Sequence, residues 1–535
     1  MMHTTRLLQW TAGLLLAAAP ALAFAQTGPG GVGDASTNVL WLRSDAGVYS
    51  DAGTTPATNN SVVQEWHDQS GNGIVFSQTT ATNQPTFLTS YVNGQPALQF
   101  DGADDWIGNT INNGSLNDNF TIFIVSRFGH LNQPNGDYDY LICVGGGYVG
   151  ANRNLSISRT AGNYPSGSDR YFTFDGAKVK IDQNIPGQTW TVFSERYWTI
   201  APRHRNWFNG ALKSVPGPQV PLQTNGLFDI GRYTSGNTHH FKGEVAEVIV
   251  YNYELNDAER IIVQNYLASK YGVGVDDDKY AYDNTHHLGV IGIGHLGTNK
   301  VHPETEGSGI VGIYSPSTFH GLDFLLIGHN GLAPAFISTD VPSAMGTSAV
   351  RWDRSWRSDL TNTPGTVTLE FNLNGLSAPN PGDYELLLDA DGNFSSGATQ
   401  HITGRSYNAI TRILTFTDVP LADGHYFTLA TPSLPSAQHY ASTKTQLDGG
   451  YYQPVNNKVY FQFEERYTDG NSSLDFVVLN SQRVNTGLTG SQLNSSTAQY
   501  GDNRYELDVS SLSAGTYVLE ITTEKNEKRY LRFIL

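Results

Sequence analysis

The sequence predicts an all-β protein built from several sandwich-like units, and three observations carry that prediction. Charged residues are only 15% of the 535-residue chain, against about 25% in ordinary globular proteins. Glycine is abundant at 56 residues, as in a chain punctuated by turns. Short apolar runs recur between clusters of Gly, Asn, Ser and Thr, and one segment alone has a helical period. At roughly 150 residues per domain, the length predicts three or four domains.

Residues 1–25 read as an export signal. Arg6 supplies the positive start, Leu14 to Ala19 the apolar stretch, and Ala23-Phe24-Ala25 a small-x-small cleavage site, so Gln26 is the expected mature start. The apolar stretch is short and ends at Pro20, and no later stretch is long enough to span a membrane, so no span is expected in the mature chain. Residues 26–37 are a Gly-rich lead-in.

From Val39 to Val250 the text is short strands and turns. Phe120 to Val125 is apolar on nearly every residue, as a strand buried on both faces would be. Asn209-Gly210 supplies the positive φ values of a tight hairpin. Then comes the one helix, capped by Asn256 with Glu259 three residues on, and stopped at Gly272. A second β-rich block follows from Tyr280 to Ala430, with residues 366–373 alternating as a half-buried strand. Pro432, Pro435 and Gly449-Gly450 mark a linker over 431–450. A last block, 451–535, holds short strands and ends on Tyr530 to Leu535.

The formal charge of −17 argues against nucleic acid and against anionic membrane surfaces, which need a basic face. Neutral glycans or a divalent cation suit it better. The lone cysteine, Cys143, excludes an intrachain disulfide and a Cys-rich zinc site. Export without disulfides points to a bacterium.

Three stretches resemble known families. Leu40 to Gly47, Trp66 to Gly73, Pro96 to Gly102, Asn209-Gly210, Ile230-Gly231-Arg232 and Gly243 to Tyr251 together resemble the laminin G-like, concanavalin A-type jelly-roll modules of bacterial surface proteins. That resemblance, over 35–274, implies two curved antiparallel sheets and a ligand-binding edge or concave face, often with calcium. Gly321 to Asn330, Arg354 to Arg357 and Asp423 to Leu429 are similar to an uncharacterised β-rich domain that follows such modules, implying a second β-sandwich-like domain over 280–430. Pro454 to Val459 and Leu512 to Leu519 resemble the C-terminal sorting domain of the type IX secretion system, which implies a small immunoglobulin-like β-sandwich over 451–535. The family's usual Tyr-Pro-Asn-Pro opening reads Tyr451-Tyr452-Gln453-Pro454 here, and its usual Gly is replaced near Ser481-Gln482-Arg483.

Candidate metal ligands are Asp101, Asp104 and Asp105, three carboxylates on a Gly-containing turn that offer hard oxygens to calcium. The competing reading is a solvated turn with Asp101 bonding backbone N–H groups. Asp68 and Asn72 lie on a similar turn and are candidate ligand-binding residues, with Trp106 as an aromatic platform for a sugar ring. Trp198 and Trp207 are further platform candidates, with core packing the expected fate of Trp41 and Trp207. Asp389, Asp391 and Asn393 copy the first positions of a calcium loop, but Phe394 stands where the turn glycine belongs and Gln400 where the closing acid belongs. A looser calcium site or a hairpin turn remain the two readings.

Gly292-Ile293-Gly294-His295-Leu296-Gly297 spells a dinucleotide fingerprint, but no helix follows it, so a Gly-rich β-turn and no nucleotide cofactor are expected. His286, His287, His295, His302, His320 and His329 lack the paired spacing of a zinc site. His286-His287 would face opposite ways on a strand. Glycoside cleavage needs two carboxylates facing one groove. No acid-x-acid-x-acid strand, serine elbow or zincin pair occurs, and Glu244 and Glu247 would face opposite sides of their strand. The expected function is therefore a secreted or cell-surface binding or adhesion protein that recognises glycan or matrix, not an enzyme. A secreted polysaccharide-degrading enzyme and a passive structural surface protein are the alternatives. The type IX secretion machinery is the expected export partner.

Overall fold

The computed structural model describes residues 28–110, 119–129, 138–145, 155–160, 170–174, 178–181, 188–198, 204–213, 227–234, 239–307, 310–373, 376, 381–396, 399–433, 448–453, 458–462, 475–480, 485–490, 494–495, 504–512, 516–522 and 528–534. The export signal, residues 434–447 of the linker, Pro454 to Asn457 and Ser481 to Arg483 lie outside them. The described residues hold one α-helix and six sheets, with every strand pair antiparallel.

The first block is two facing sheets. In one, Lys242–Tyr251 is the central strand, with Phe120–Phe128 along one side. Its other side is shared by Gln95–Asp101 and Asn38–Arg43, one at each end. Trp190–Tyr197 and His204–Phe208 extend the sheet beyond Phe120–Phe128. The facing sheet runs from Lys178–Ile181 through Tyr138–Val144 and Ile107–Thr110 to Val48–Tyr49. Period two sorts the side chains. Leu40, Leu42, Phe120, Ile122, Ile124, Val248 and Val250 enter the core between the sheets, against Trp66, Phe76, Ile142 and Phe228. The alternate residues Trp41, Phe123, Val125, Ile249 and Tyr251 line the outer face, and that face is covered by the helix. Phe120 to Val125 is apolar at every position but Thr121 because both its faces are buried. Asn209 and Gly210 have φ of 46° and 83°, the hairpin turn that the dipeptide predicts.

Helix Asp257–Tyr271 begins at Asn256, whose side chain accepts from the amides of Ala258 and Glu259, while Glu259 accepts from the Asn256 amide. A cap of this kind contributes about 1 kcal/mol. Gly272 ends the helix at φ 64°. The helix is buried on two sides. Its second side meets Val290, Phe324 and Leu326, on strands Leu288–His295 and Asp323–His329 of the second block. The lead-in also docks: Pro29, Gly30 and Gly31 are buried, and Gly30 and Gly31 carbonyls accept from the Thr305 hydroxyl.

The second block pairs a nine-stranded sheet with a five-stranded one around Ile293, Leu325, Ile327, Trp352, Trp356, Leu369, Phe371, Phe416 and Phe427. Val367–Asn372 alternates buried and half-buried along its length, as its pattern predicts. The supposed Gly-rich turn is instead strand. Gly292 and Gly294 lie inside Leu288–His295, where a Cβ would approach Leu326 and Phe324 to 2.6 Å and 2.4 Å. His286 and His287 precede that strand. The last block holds two four-stranded sheets, closed by Lys528–Ile534 on Thr516–Thr522. Among the described residues, no helix is long and apolar enough to cross a membrane.

Candidate functional site

Strand Gln95–Asp101 ends at a turn through Gly102, whose φ is +83°. Asp101 Oδ1 accepts from the amides of Ala103 (2.7 Å) and Asp104 (3.3 Å). Asp105 folds back so that Oδ2 accepts from the Asp101 amide at 2.9 Å. These bonds draw the carboxylates together: one oxygen from each of Asp101, Asp104 and Asp105 lies within 4.8 Å of the others. Burial pushes the Asp105 carboxyl up to about 7, against the amide bond from Asp101, and the Asp101 and Asp104 charges add to the rise. No cation is paired with any of the three among the described residues. A hard cation would relieve this repulsion, and the oxygens left over from the turn suit calcium. Asp101 bonds backbone amides, as a solvated turn would, while its carboxylate lies close to those of Asp104 and Asp105.

Trp106 follows directly. It is half-buried, and the Arg232 guanidinium lies 3.1 Å from its ring centroid. Arg232 in turn pairs with Asp229 at 2.8 Å. One face of the indole is therefore held by an arginine. Trp207 is buried between Arg196 and Arg260, at 4.6 Å and 4.7 Å, and packs in the core. Trp198 carries Arg205 at 5.4 Å.

Asp68 and Asn72 serve a different turn. Asp68 accepts from the Trp41 amide (2.7 Å), the Ser70 amide and hydroxyl, and the Asn72 amide. Asn72 donates to the carbonyls of Ala35 and Asn38. These bonds tie the turn to strand Asn38–Arg43. The Asp389 loop spends its acidic side chains on its own groups, and its Ser395 amide donates to Asp340. Asp389 accepts from the amides of Asp391 and Gly392 and the Thr399 hydroxyl, and Asp391 accepts from the Asn393 amide. The loop joins paired strands Glu385–Asp389 and Gln400–Ile402, the hairpin geometry.

The histidines scatter. His329 is pushed down to about 3, and His286 and His302 to about 4, by burial above all. They are neutral packing groups that bond the Gly331 amide, the Ser355 hydroxyl and the Gly31 carbonyl.

A second constellation escaped the sequence. Glu247 is fully buried and accepts from the Trp41 indole (2.6 Å), the hydroxyls of Tyr266 (2.9 Å) and Tyr271 (2.7 Å), and Lys270 (2.8 Å). Lys270 also reaches Asp45 at 2.9 Å. Burial raises the Asp45 carboxyl, but Lys270 and Arg43 outweigh it and hold the group well below the usual carboxylate range. A bulge explains the omission. Pairing slips between Val245 and Glu247, so Glu244 and Glu247 share the outer face instead of facing opposite ways. Glu244 there binds Arg127, Tyr91 and Gln99. The network borders a cleft of about 580 Å³ between the two blocks, with Glu306, Tyr314, Glu370 and Asn372 on its far wall.

Residues 451–535 match the secretion system C-terminal sorting domain. The chain is thereby type IX secretion cargo, exported to the cell surface or beyond it. Residues 314–425 match a domain of unknown function, DUF8202. No curated protein matches the chain by sequence. Among solved structures, it is similar to a GH54 α-L-arabinofuranosidase at 14% identity and a TM-score of 0.34, over 52% of this chain and 66% of that one. The chain thus spans just under two thirds of that enzyme. Domain 4 of AbnA, a GH43 extracellular arabinanase from Geobacillus stearothermophilus, matches at 16% identity and TM-score 0.23, over 42% of this chain and 97% of that one. The CBM40 of the Ruminococcus gnavus IT-sialidase, bound to α2,3-sialyllactose, matches at 14% and 0.24, over 30% and 91%.

Proposed function

We propose that this exported protein is a binding protein, and that its first block, laminin G-like in organisation, recognises a glycan or matrix ligand at the Asp101–Trp106 turn with the help of calcium. The convergence of three carboxylates within 4.8 Å supports this reading most directly. Asp101, Asp104 and Asp105 would hold the ion. Calcium takes six to eight oxygens, so an ion held by one turn keeps positions for ligand hydroxyls. Asp105, buried and hydrogen-bonded to the Asp101 amide, orients the set. Trp106, fixed by Arg232, stands beside it as an edge for an apolar sugar face.

A glycan array read in calcium and in chelator, with reducing-end assays on the polysaccharides that bind, tests the proposal. Calcium-dependent binding that Asp101→Ala abolishes supports it. Release of reducing ends would replace it with a glycan-degrading enzyme, and a silent array with a passive surface protein.

A further inference from the structure

We infer that the first block carries a second binding place, an aromatic corner on the outer face of its helix-covered sheet, and that its ligand is a neutral, glucose-configured oligosaccharide. The inference stands apart from the Asp101 turn and does not depend on calcium.

Pairing lays one row of side chains across four strands of that sheet. Trp190 stands opposite Arg127, Arg127 opposite Glu244, and Glu244 opposite Gln99. Directly opposed residues share a face. Two residues along the strands, Val192, Val125 and Ala97 belong to the apolar layer that the helix covers. In the Glu244 row itself, Trp190, Arg127 and Gln99 are only half-buried. Strand Thr86–Val92 adds the last member. Its pairing with Gln95–Asp101 slips between Leu88 and Val92, and Ser90 sits at φ 49°, a left-handed conformation that non-glycine residues seldom adopt. A bulge re-aims side chains. Here Tyr91 lies beside the row, 38% exposed, with its hydroxyl on Glu244 at 3.1 Å. The Tyr91 and Trp190 rings meet at 74° with centroids 6.3 Å apart, as two walls of a corner.

The charges beneath the corner are already paired. Glu244 is 3% exposed and accepts from Arg127 Nε at 2.7 Å, Arg127 Nη2 at 3.1 Å and Gln99 Nε2 at 3.2 Å, besides the Tyr91 hydroxyl. One cation and one anion cancel, so the corner offers an ionic ligand no net charge. The same bonds fix the Tyr91 ring, because Arg127 Nη2 also reaches its hydroxyl at 2.9 Å. Three polar atoms stay free. Arg127 Nη1, Gln99 Oε1 and the Trp190 indole N–H have no protein partner among the described residues, and none of them is buried. A pyranose with every hydroxyl equatorial matches this pattern. Its C–H faces are apolar and stack on an aromatic ring, and its hydroxyls surround the edge, where they meet the guanidinium, amide and indole. A purely aliphatic ligand would cover those three atoms without bonding them, which is costly.

Calorimetric titration of the full chain in chelator tests the corner with cellotetraose, its glucosamine counterpart, which carries an ammonium at each C2, and tetragalacturonate. Cellotetraose is expected to bind at least tenfold more tightly than either charged probe, and added salt should leave its affinity unchanged. Tyr91→Ala and Trp190→Ala should each weaken it at least tenfold. Trp190→Phe keeps a stacking face, so it should retain most of the binding while losing the shift in tryptophan emission that cellotetraose produces in the parent. Binding that survives both alanine variants, or an emission shift that persists in Trp190→Phe, overturns the corner as the place. Tighter binding of a charged probe, or weakening by salt, overturns the neutral assignment. Absence of cellotetraose binding overturns the site. Calcium is absent throughout, so these outcomes are separate from those of the Asp101 turn.

Discussion

Replacing Asp105 with asparagine isolates the charge at the three-carboxylate turn. The amide keeps an oxygen for the Asp101 amide bond and removes the group whose ionisation is disfavoured. Asp105 is 6% exposed, and its carboxyl is pushed up to about 7 from an ordinary 3.8. A folded value above the unfolded one means that the neutral carboxyl's stability is fully present below pH 4 and is lost as pH rises through about 7. That difference corresponds to about 4 kcal/mol, and water reaching the exposed Asp101 side screens it to roughly half. In chelator, the melting gap between Asp105→Asn and the parent should therefore widen from pH 4 to pH 8.5 by about 2 kcal/mol. For a domain of this size that is about 4–8 °C in the first block's transition. A constant offset at both pH values would report only how the amide fits; the widening reports the charge. In millimolar calcium at pH 8.5 the parent should gain, by about 2.7 kcal/mol at a hundredfold excess over Kd, and the variant should not. Thermal melts followed by circular dichroism measure both effects. A gap that stays flat with pH refutes the cost of ionisation, and a parent indifferent to calcium refutes the metal.

Other perturbations test how the blocks are joined and exported. Lys270→Met leaves Glu247 and Asp45 buried beside no ammonium, and should cost about 3–5 kcal/mol in denaturant unfolding; adding Glu247→Gln should recover most of it. Gly31 has φ +77°, and a Cβ there would meet the Thr305 hydroxyl at 1.9 Å and the Glu306 carbonyl at 2.7 Å. Gly31→Ala should therefore free the lead-in for limited proteolysis, and Thr305→Ala should not restore protection, because the backbone clash remains. Deleting 451–535 should leave the first two blocks folded and trapped in the periplasm; equal surface delivery of the full and truncated chains on cell fractionation would remove the sorting role. Cys143 is buried, so it should resist thiol reagents until the first block unfolds.

Local rules reached some elements of this chain and stopped short at others. The Asn256 cap, the Gly272 stop, the Asn209-Gly210 hairpin and the alternation of 367–372 each follow from residues near one another in sequence, and each is in place. The Asp101 turn was legible for the same reason, since its bonds join residues two to four apart. Trp106 was only half legible: its neighbourhood to the carboxylates is local, but Arg232 on its ring comes from another part of the chain. The Gly292 segment misled because glycine marks both turns and close approaches, and Leu326 and Phe324 decide which.

The sequence by itself determined the all-β class, the capped helix Asp257–Tyr271 and the sorting-domain end, because periodicity, capping and turn chemistry are set by neighbours in the chain. The tertiary structure alone decided that the helix is a shared core element, buried between two sheets, and that Glu247, Lys270 and Asp45 meet beneath it. It also decided that Glu306 and Glu370 face one cleft across Gly312. The physical reason is that register and bulges set which side chains share a face. A slip at Ala246 turns Glu247 to the side of Glu244, and pairing brings Glu306 and Glu370 into one row from positions 64 residues apart in the chain.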